Sequence, residues 1–208
     1  MAIDTALADE LLTTTRAVRK RLDFSRPVPR QVILDCVRIS QQAPTGGNGQ
    51  AWRWIVVDEP EKKSRLAELY RAGAGSYLSE GRVAALQRGD HRTTRVYDSA
   101  QYLADHLHEA PMHVIPCQHG VPYQGHEGSF YASIYPAVWS FQLALRARGL
   151  GTVLTTLILV HAKEIAQLLG IPEGVTICAL LPVAYTIGIN FKTAPRPDPA
   201  TIVHWNSW

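Results

Sequence analysis

The sequence predicts an α+β fold, on two observations. Apolar residues recur at helical spacing in several long segments, whereas β-rich stretches are few and far apart. That order lacks the regular strand–helix–strand alternation of a Rossmann sheet or a barrel. A chain of 208 residues is long enough to bury a proper core and is read as one domain, 1–208. Its hydrophobic share of 46% and charged share of 19% exclude disordered, collagen-like and coiled-coil classes. A net charge of +3 is too small for a dedicated nucleic-acid binder, so no nucleic-acid partner is expected.

The elements follow in order. A first helix of about four turns starts at an Asp4 N-cap and carries Ala6, Leu7, Leu11 and Val18. Arg16, Arg19 and Lys20 load its end with the charge a helix C-terminus prefers. Pro29 opens a second helix with the stripe Ile33, Cys36, Val37 and Ser40, stopped at Ala43-Pro44. Pro44 to Gln50 is a loop by composition, and Trp52 to Val57 reads as a strand. A short helix from about Pro60 to Arg71 is capped by Asp58, with Glu61 three residues on.

Residues 73 to 108 hold glycines, charges and a weak helical spacing of Leu78, Val83 and Leu86, which suits mobile helices over a site. His113 to Ile115 is a short strand, and Gly120 to Gly128 a polar loop. Ile134, Val138, Phe141 and Leu145 mark a helix that ends at Gly149. His161 to Leu169 is another, closing on Gly170. Val175 to Ile187 is β-rich, and Pro182 within it favours an edge or a strand end. The tail from Ala194 to Trp208 has little to pack on alone and is expected to dock on a partner subunit, which favours a homodimer.

Cys36, Cys117 and Cys178 form no C-x-x-C pair and sit among apolar neighbours, so they read as buried free thiols suited to a reducing cytosol. The first residues carry acids where a signal peptide starts basic, and no apolar run approaches the ~18–20 residues of a membrane span. A cytoplasmic protein without membrane contact is expected.

Three constellations bear on chemistry. In Arg16-Ala17-Val18-Arg19, a helical spacing of three places both guanidiniums on one face, suited to a dianionic phosphate. A solvated helix end or a nucleic-acid contact fits the same charges. The loop Pro44 to Trp52 has glycines at 46, 47 and 49 for close backbone approach, and Asn48 and Gln50 as paired donors and acceptors. A plain connecting loop has similar composition. Gly149-Leu150-Gly151-Thr152 lacks a preceding strand and a third glycine, so it is a poor dinucleotide fingerprint, and there is no phosphate-binding G-x-x-x-x-G-K-[ST] loop. The histidines at 106, 108, 113, 119 and 126 match no metal-ligand pattern, and no G-x-S-x-G elbow is present. No metal and no catalytic side chain are expected.

In register, these segments resemble the FMN-dependent nitroreductase family. Arg16-Ala17-Val18-Arg19 is similar to its "R-S-V-R", Ala43 to Trp52 to its "A-P-S-x-x-N-x-Q-P-W", and Gly149 to Thr152 to its "G-L-G-T". Leu169 to Glu173 is similar to its "L-G-I-P-E", and Arg196-Pro197 to its "R-x-P". The resemblance implies a mixed or antiparallel sheet flanked by helices, with C-terminal segments exchanged in a dimer and FMN at the interface. It implies that Arg16, Ala17 and Arg19, joined by Arg196, surround the phosphate. Pro44, Thr45, Gly46, Asn48 and Gln50 would line the ring and ribityl chain, and Leu154, Thr155 and Thr156 would approach from the other side with a backbone N–H near N5. NAD(P)H and a nitroaromatic, quinone or similar acceptor would alternate at the flavin. Ala17 for serine, Ala51 for proline and Ala184-Tyr185-Thr186 for "G-Y-P" depart from the pattern. Residues 73 to 108 match no motif and would act as a lid that selects the substrate. A flavin-fragmenting, dehalogenating or dehydrogenating relative, and a non-enzymatic flavin-binding protein, are the alternatives.

Overall fold

The computed structural model describes residues 4–208. Its centre is strand β3, Met112–His119, buried from Met112 through Gln118. Such a run means the strand is covered on both faces. Val114 points into a core shared with α2 (Arg30–Ser40) and α6 (Glu127–Arg146). Ile115 and Cys117 point into a second core built on α3 (Pro60–Ala74), α5 (His91–His106) and α7 (Ala162–Leu169).

Among the described residues the sheet has six strands, and every strand pairing is antiparallel. β2 (Trp52–Val57) lies beside β3 from Trp52↔Gln118 to Val57↔His113. β5 (Val175–Ile177) and β6 (Leu181–Thr186) also pair with β3. β4 (Leu150–Thr152) and the two-residue β1 (Leu22–Asp23) pair with β6. β1 and β4 are too short to show a period in sequence. Pro182 is the second residue of β6, at a strand end as expected though not on an edge strand, opposite His113 of β3. It sits one residue past the last β4 pair, Thr152↔Val183, where no β4 partner follows it.

The first helix is shorter than its apolar spacing predicts. α1 spans Thr5–Thr14, with the Asp4 carboxylate accepting from Ala6 N and Leu7 N as expected. Thr13, Thr14 and Thr15 turn their hydroxyls back onto the carbonyls of Asp9, Glu10 and Leu11, and the helix ends there. Arg16 to Arg19 therefore lie beyond the helix, and the shared helical face expected for the two arginines does not exist. Asp58 does not cap α3 either. Glu59 occupies the cap position without a side-chain bond, while Asp58 accepts from Arg30 at 2.8 and 3.0 Å.

Residues 73 to 108 fold largely as the helices α4 (Tyr77–Gln87) and α5, which pack on each other. Leu78 and Ala85 form the buried face of α4, whereas Val83 and Leu86 of the expected stripe are exposed. α6 already begins at Glu127, inside the expected polar loop, and continues through Pro136. All three cysteines are free and buried, and burial pushes the thiols of Cys117 and Cys178 up to about 12. No helix of the described residues is long and apolar enough to cross a membrane.

Candidate functional site

β4 is the element on which the site is built. Val18 N donates to Thr152 O across 2.9 Å, and Ala17 forms a parallel bridge with Thr152, so the Arg16–Arg19 segment runs along β4. Gly151 permits this approach: a Cβ there would meet Thr186 Cγ2 at 2.7 Å and Val18 Cβ at 3.0 Å. The second glycine of Gly149-Leu150-Gly151-Thr152 is thus a packing glycine, and Gly149, at φ 74°, makes the left-handed turn after α6. Extended rather than helical backbone lets Arg16 and Arg19 enter different cavities.

Arg16 lines a cavity of about 320 Å³ with Thr13, Thr15, Trp139, Thr193 and Arg196. Its guanidinium donates to main-chain carbonyls: Thr15 O at 2.7 Å, Lys192 O at 2.9 Å and Thr13 O. Burial lowers its pKa, and Arg196 and Arg92 lower it further. Arg92, near the start of α5, reaches Pro195 O at 3.5 Å. Among the described residues, none of these three cations forms an ion pair. Arg196 comes into place because the chain before it is tied down. Arg21 donates to Ile187 O and Asn190 O, Arg146 donates to Ile189 O, and both guanidiniums lie against the Phe191 ring.

Arg19 lies in a second cavity, of about 310 Å³, with Tyr70, Tyr77, Tyr97, Leu154, Thr155 and Thr156. Its contact with Ser99 Oγ is long, 3.4 Å, and burial lowers its pKa while Tyr70 acts the other way. Thr155 N donates to Leu180 O, so its N–H is not free for a ligand, whereas Thr156 is exposed. Burial raises the Tyr70 phenol, opposed by Thr155 and Arg19.

The Pro44–Gln50 loop contributes to neither cavity. It holds one 3-10 turn, Gly46–Asn48, docked on α6 through Gly46 N to Ser133 Oγ and Trp52 Nε1 to Ser133 O. Asn48 and Gln50 adopt φ of 54° and 46°, which costs a side-chain-bearing residue energy and fixes an unusual loop shape. Gln50 Nε2 donates to Asn48 Oδ1 at 2.9 Å, and Gln50 N to Thr45 Oγ1 at 3.3 Å. Pro44 and Gly46 are exposed. Arg92, Ser133, Trp139 and Tyr70 escaped the sequence reading, because nothing local distinguishes them from other helical residues. No cluster that could hold a metal ion occurs among the described residues.

An antiparallel sheet between two helical layers, with arginines gathered beside a short strand and a polar loop, defines a nitroreductase-like fold. The chain belongs to the nitroreductase family, whose model matches residues 12–185. It is 28% identical to iodotyrosine deiodinase 1 of Rattus norvegicus over 85% of its own length, and spans 61% of that relative. It is 27% identical to the FMN reductase [NAD(P)H] of Bacillus subtilis, over 91% of this chain and 70% of the reductase. A crystal structure of oxidised iodotyrosine deiodinase bound to FMN and 3-iodo-L-tyrosine superposes with a TM-score of 0.73 at 22% identity, covering 96% of this chain and 98% of that one.

Proposed function

We propose that the chain is an FMN-dependent oxidoreductase that takes hydride from NAD(P)H and passes it to a nitroaromatic, quinone or similar small acceptor. The observation that carries this reading is the Arg16–Arg196–Arg92 group without a carboxylate partner among the described residues. Burial and then the neighbouring Arg196 and Arg92 lower the Arg16 pKa, and a dianionic phosphate would relieve that cost. The residues fit FMN. Arg16, Arg196 and Arg92 hold the phosphate beside the main chain of Ala17. By the family resemblance, Pro44, Thr45, Gly46, Asn48 and Gln50 would approach the ring and ribityl chain although they line neither cavity of this subunit, and Arg19, Leu154, Thr155 and Thr156 would face the opposite edge. Thr156 N–H is the backbone donor of that edge, since Thr155 N–H is committed to Leu180 O.

When bound, FMN supplies hydride exchange at N5. The chain's own residues orient the reactants and exclude water, which needs no side-chain nucleophile. The likeness to the Bacillus FMN reductase supports NAD(P)H as co-substrate. We read the chain as one cytoplasmic domain with α4 and α5 as the lid. It works as a homodimer with FMN at the interface; Arg196 stays beside its own subunit's Arg16, and the rest of the Ala194 to Trp208 tail reaches the partner. Trp205 and Trp208, 82% and 101% exposed, are apolar surface for that partner.

A second reading, reductive dehalogenation, draws support from the likeness to iodotyrosine deiodinase. One experiment tests both. The purified protein is expected to be yellow and to bleach on addition of NADPH or NADH. A colourless protein that ignores added FMN overturns the flavin reading. Reoxidation by a nitroaromatic or quinone supports the first activity, and iodide release from 3-iodotyrosine the second.

A further inference from the structure

Tyr97 of α5 and Leu78 of α4 line the second cavity, and the same two residues line a neighbouring cavity of about 400 Å³ between the two helices, with Lys20, Arg82, Asp98 and Gln101. Leu78 is buried in the core, whereas Tyr97 packs against that core half-buried, so the tyrosine is the less anchored part of the partition. Its ring is seated on Gly81, inside α4. A Cβ at that position would overlap Cζ, Cε1 and Oη of Tyr97. Glycine weakens a helix interior relative to alanine, and here the ring occupies the space that the missing side chain leaves. Tyr77 meets the ring edge-on, with centroids 5.9 Å apart. The Arg82–Asp98 ion pair joins the two helices one residue beyond Gly81 and Tyr97.

We propose that Tyr97, seated on Gly81, is the specificity-determining residue that limits the size of the electron acceptor and restricts the second cavity to single-ring aromatics. The inference rests on the FMN reading above, with the acceptor entering beneath α4 and α5. Ligand pockets run from roughly 300 to 1,000 Å³, so a cavity of about 310 Å³ is near the lower limit. The cofactor ring draws on the same space, which leaves room for a small nitroaromatic or quinone. A fused-ring acceptor needs the volume beyond the Tyr97 ring, in the neighbouring cavity. Removing the ring joins the two cavities and admits it.

The test compares kcat/KM for p-benzoquinone, a single ring, with that for the fused-ring phenanthrenequinone in the FMN-loaded protein and its variants. Tyr97→Ala is expected to raise the large-to-small ratio about tenfold, the scale on which a shaped pocket sorts substrates. Tyr97→Phe keeps the ring on its seat and is expected to hold the ratio near that of the unmodified protein. An unchanged ratio in Tyr97→Ala overturns the proposal, and so does a Tyr97→Phe variant that behaves like Tyr97→Ala. Should Tyr97→Ala fail to fold, an unchanged ratio in Tyr97→Leu overturns it equally. Stability reads the seat itself. Gly81→Ala is expected to raise the melting temperature by about 2–4 °C in the Tyr97→Ala background, as a helix gains on losing a glycine, and to give no gain beside the native ring. The same gain in both backgrounds overturns the seating, and with it the proposal. Unmodified protein that binds no FMN fails the reading beneath instead, so the two failures are told apart.

Discussion

The two cavities on either side of the Arg16–Arg19 segment are of similar size, about 320 and 310 Å³, and differ in what holds them. In the first, cations meet main-chain carbonyls: Arg16 is satisfied by Thr13, Thr15 and Lys192, and Arg92 and Arg196 share Pro195 O. Its net charge is uncompensated locally, and it suits an anion. In the second, one half-buried cation, Arg19, shares the space with phenols and threonines. That cavity suits a ring with hydrogen-bonding edges. The Arg16–Arg19 segment thus separates a cation-rich cavity from one lined by phenols and threonines, the division that the proposed phosphorylated aromatic cofactor would use.

The strongest test of this difference compares FMN with riboflavin, which lacks the phosphate. Arg16→Glu/Arg196→Glu is expected to weaken FMN binding more than about 100-fold and to leave riboflavin nearly unaffected, as charge-assisted contacts are worth roughly 1.5–3 kcal/mol each. Equal losses for both ligands would erase the distinction between the cavities. His113 should matter to neither. It is fully buried in β3, Nε2 against Leu107 O, and desolvation lowers its pKa from 6.5 to about 4. The unfolded chain then binds more protons between those values, so stability present above about pH 6.5 is lost as pH falls toward 4. The loss is on the order of 3 kcal/mol. Melting temperature against pH, compared with His113→Asn, reads it: the variant's acid decline should be shallower.

Gly151→Val attacks the junction between the cavities. The added side chain meets Val18 and Thr186, and a cost of about 1–3 kcal/mol is expected in urea unfolding, with FMN and riboflavin both bound more weakly. Unchanged stability would mean that the arginine segment is not seated on β4 as described. The smallest effect separates two single arginines. Arg92→Ala should weaken FMN about tenfold and spare riboflavin, whereas Arg19→Ala should weaken both alike, as titrated by fluorescence. The reverse pattern would exchange the roles of the two cavities.

Much of the frame was legible in the chain. Ile134, Val138, Phe141 and Leu145 marked the buried side of α6, and Trp52 to Val57 marked β2, because periodicity is written locally. α1 ends earlier than its apolar spacing predicts, because three threonines bond back to the helix and β4 draws Val18 away. The arginines were visible as charges, but their division between two cavities was not.

By itself, then, the sequence determined the family motifs, the helices long enough to show a period, the buried thiols and the positions of the glycines. These are properties of neighbouring residues, and short-range sterics and apolar spacing impose them. Only the tertiary structure decided that Arg92 joins Arg16 and Arg196, that Arg19 shares a cavity with Tyr70, and that Tyr70 hydrogen-bonds to Thr155, 85 positions away. Packing of α3 against the chain around Leu157, and of the Val18 segment against β4, sets those distances. No local pattern encodes where two distant surfaces will touch.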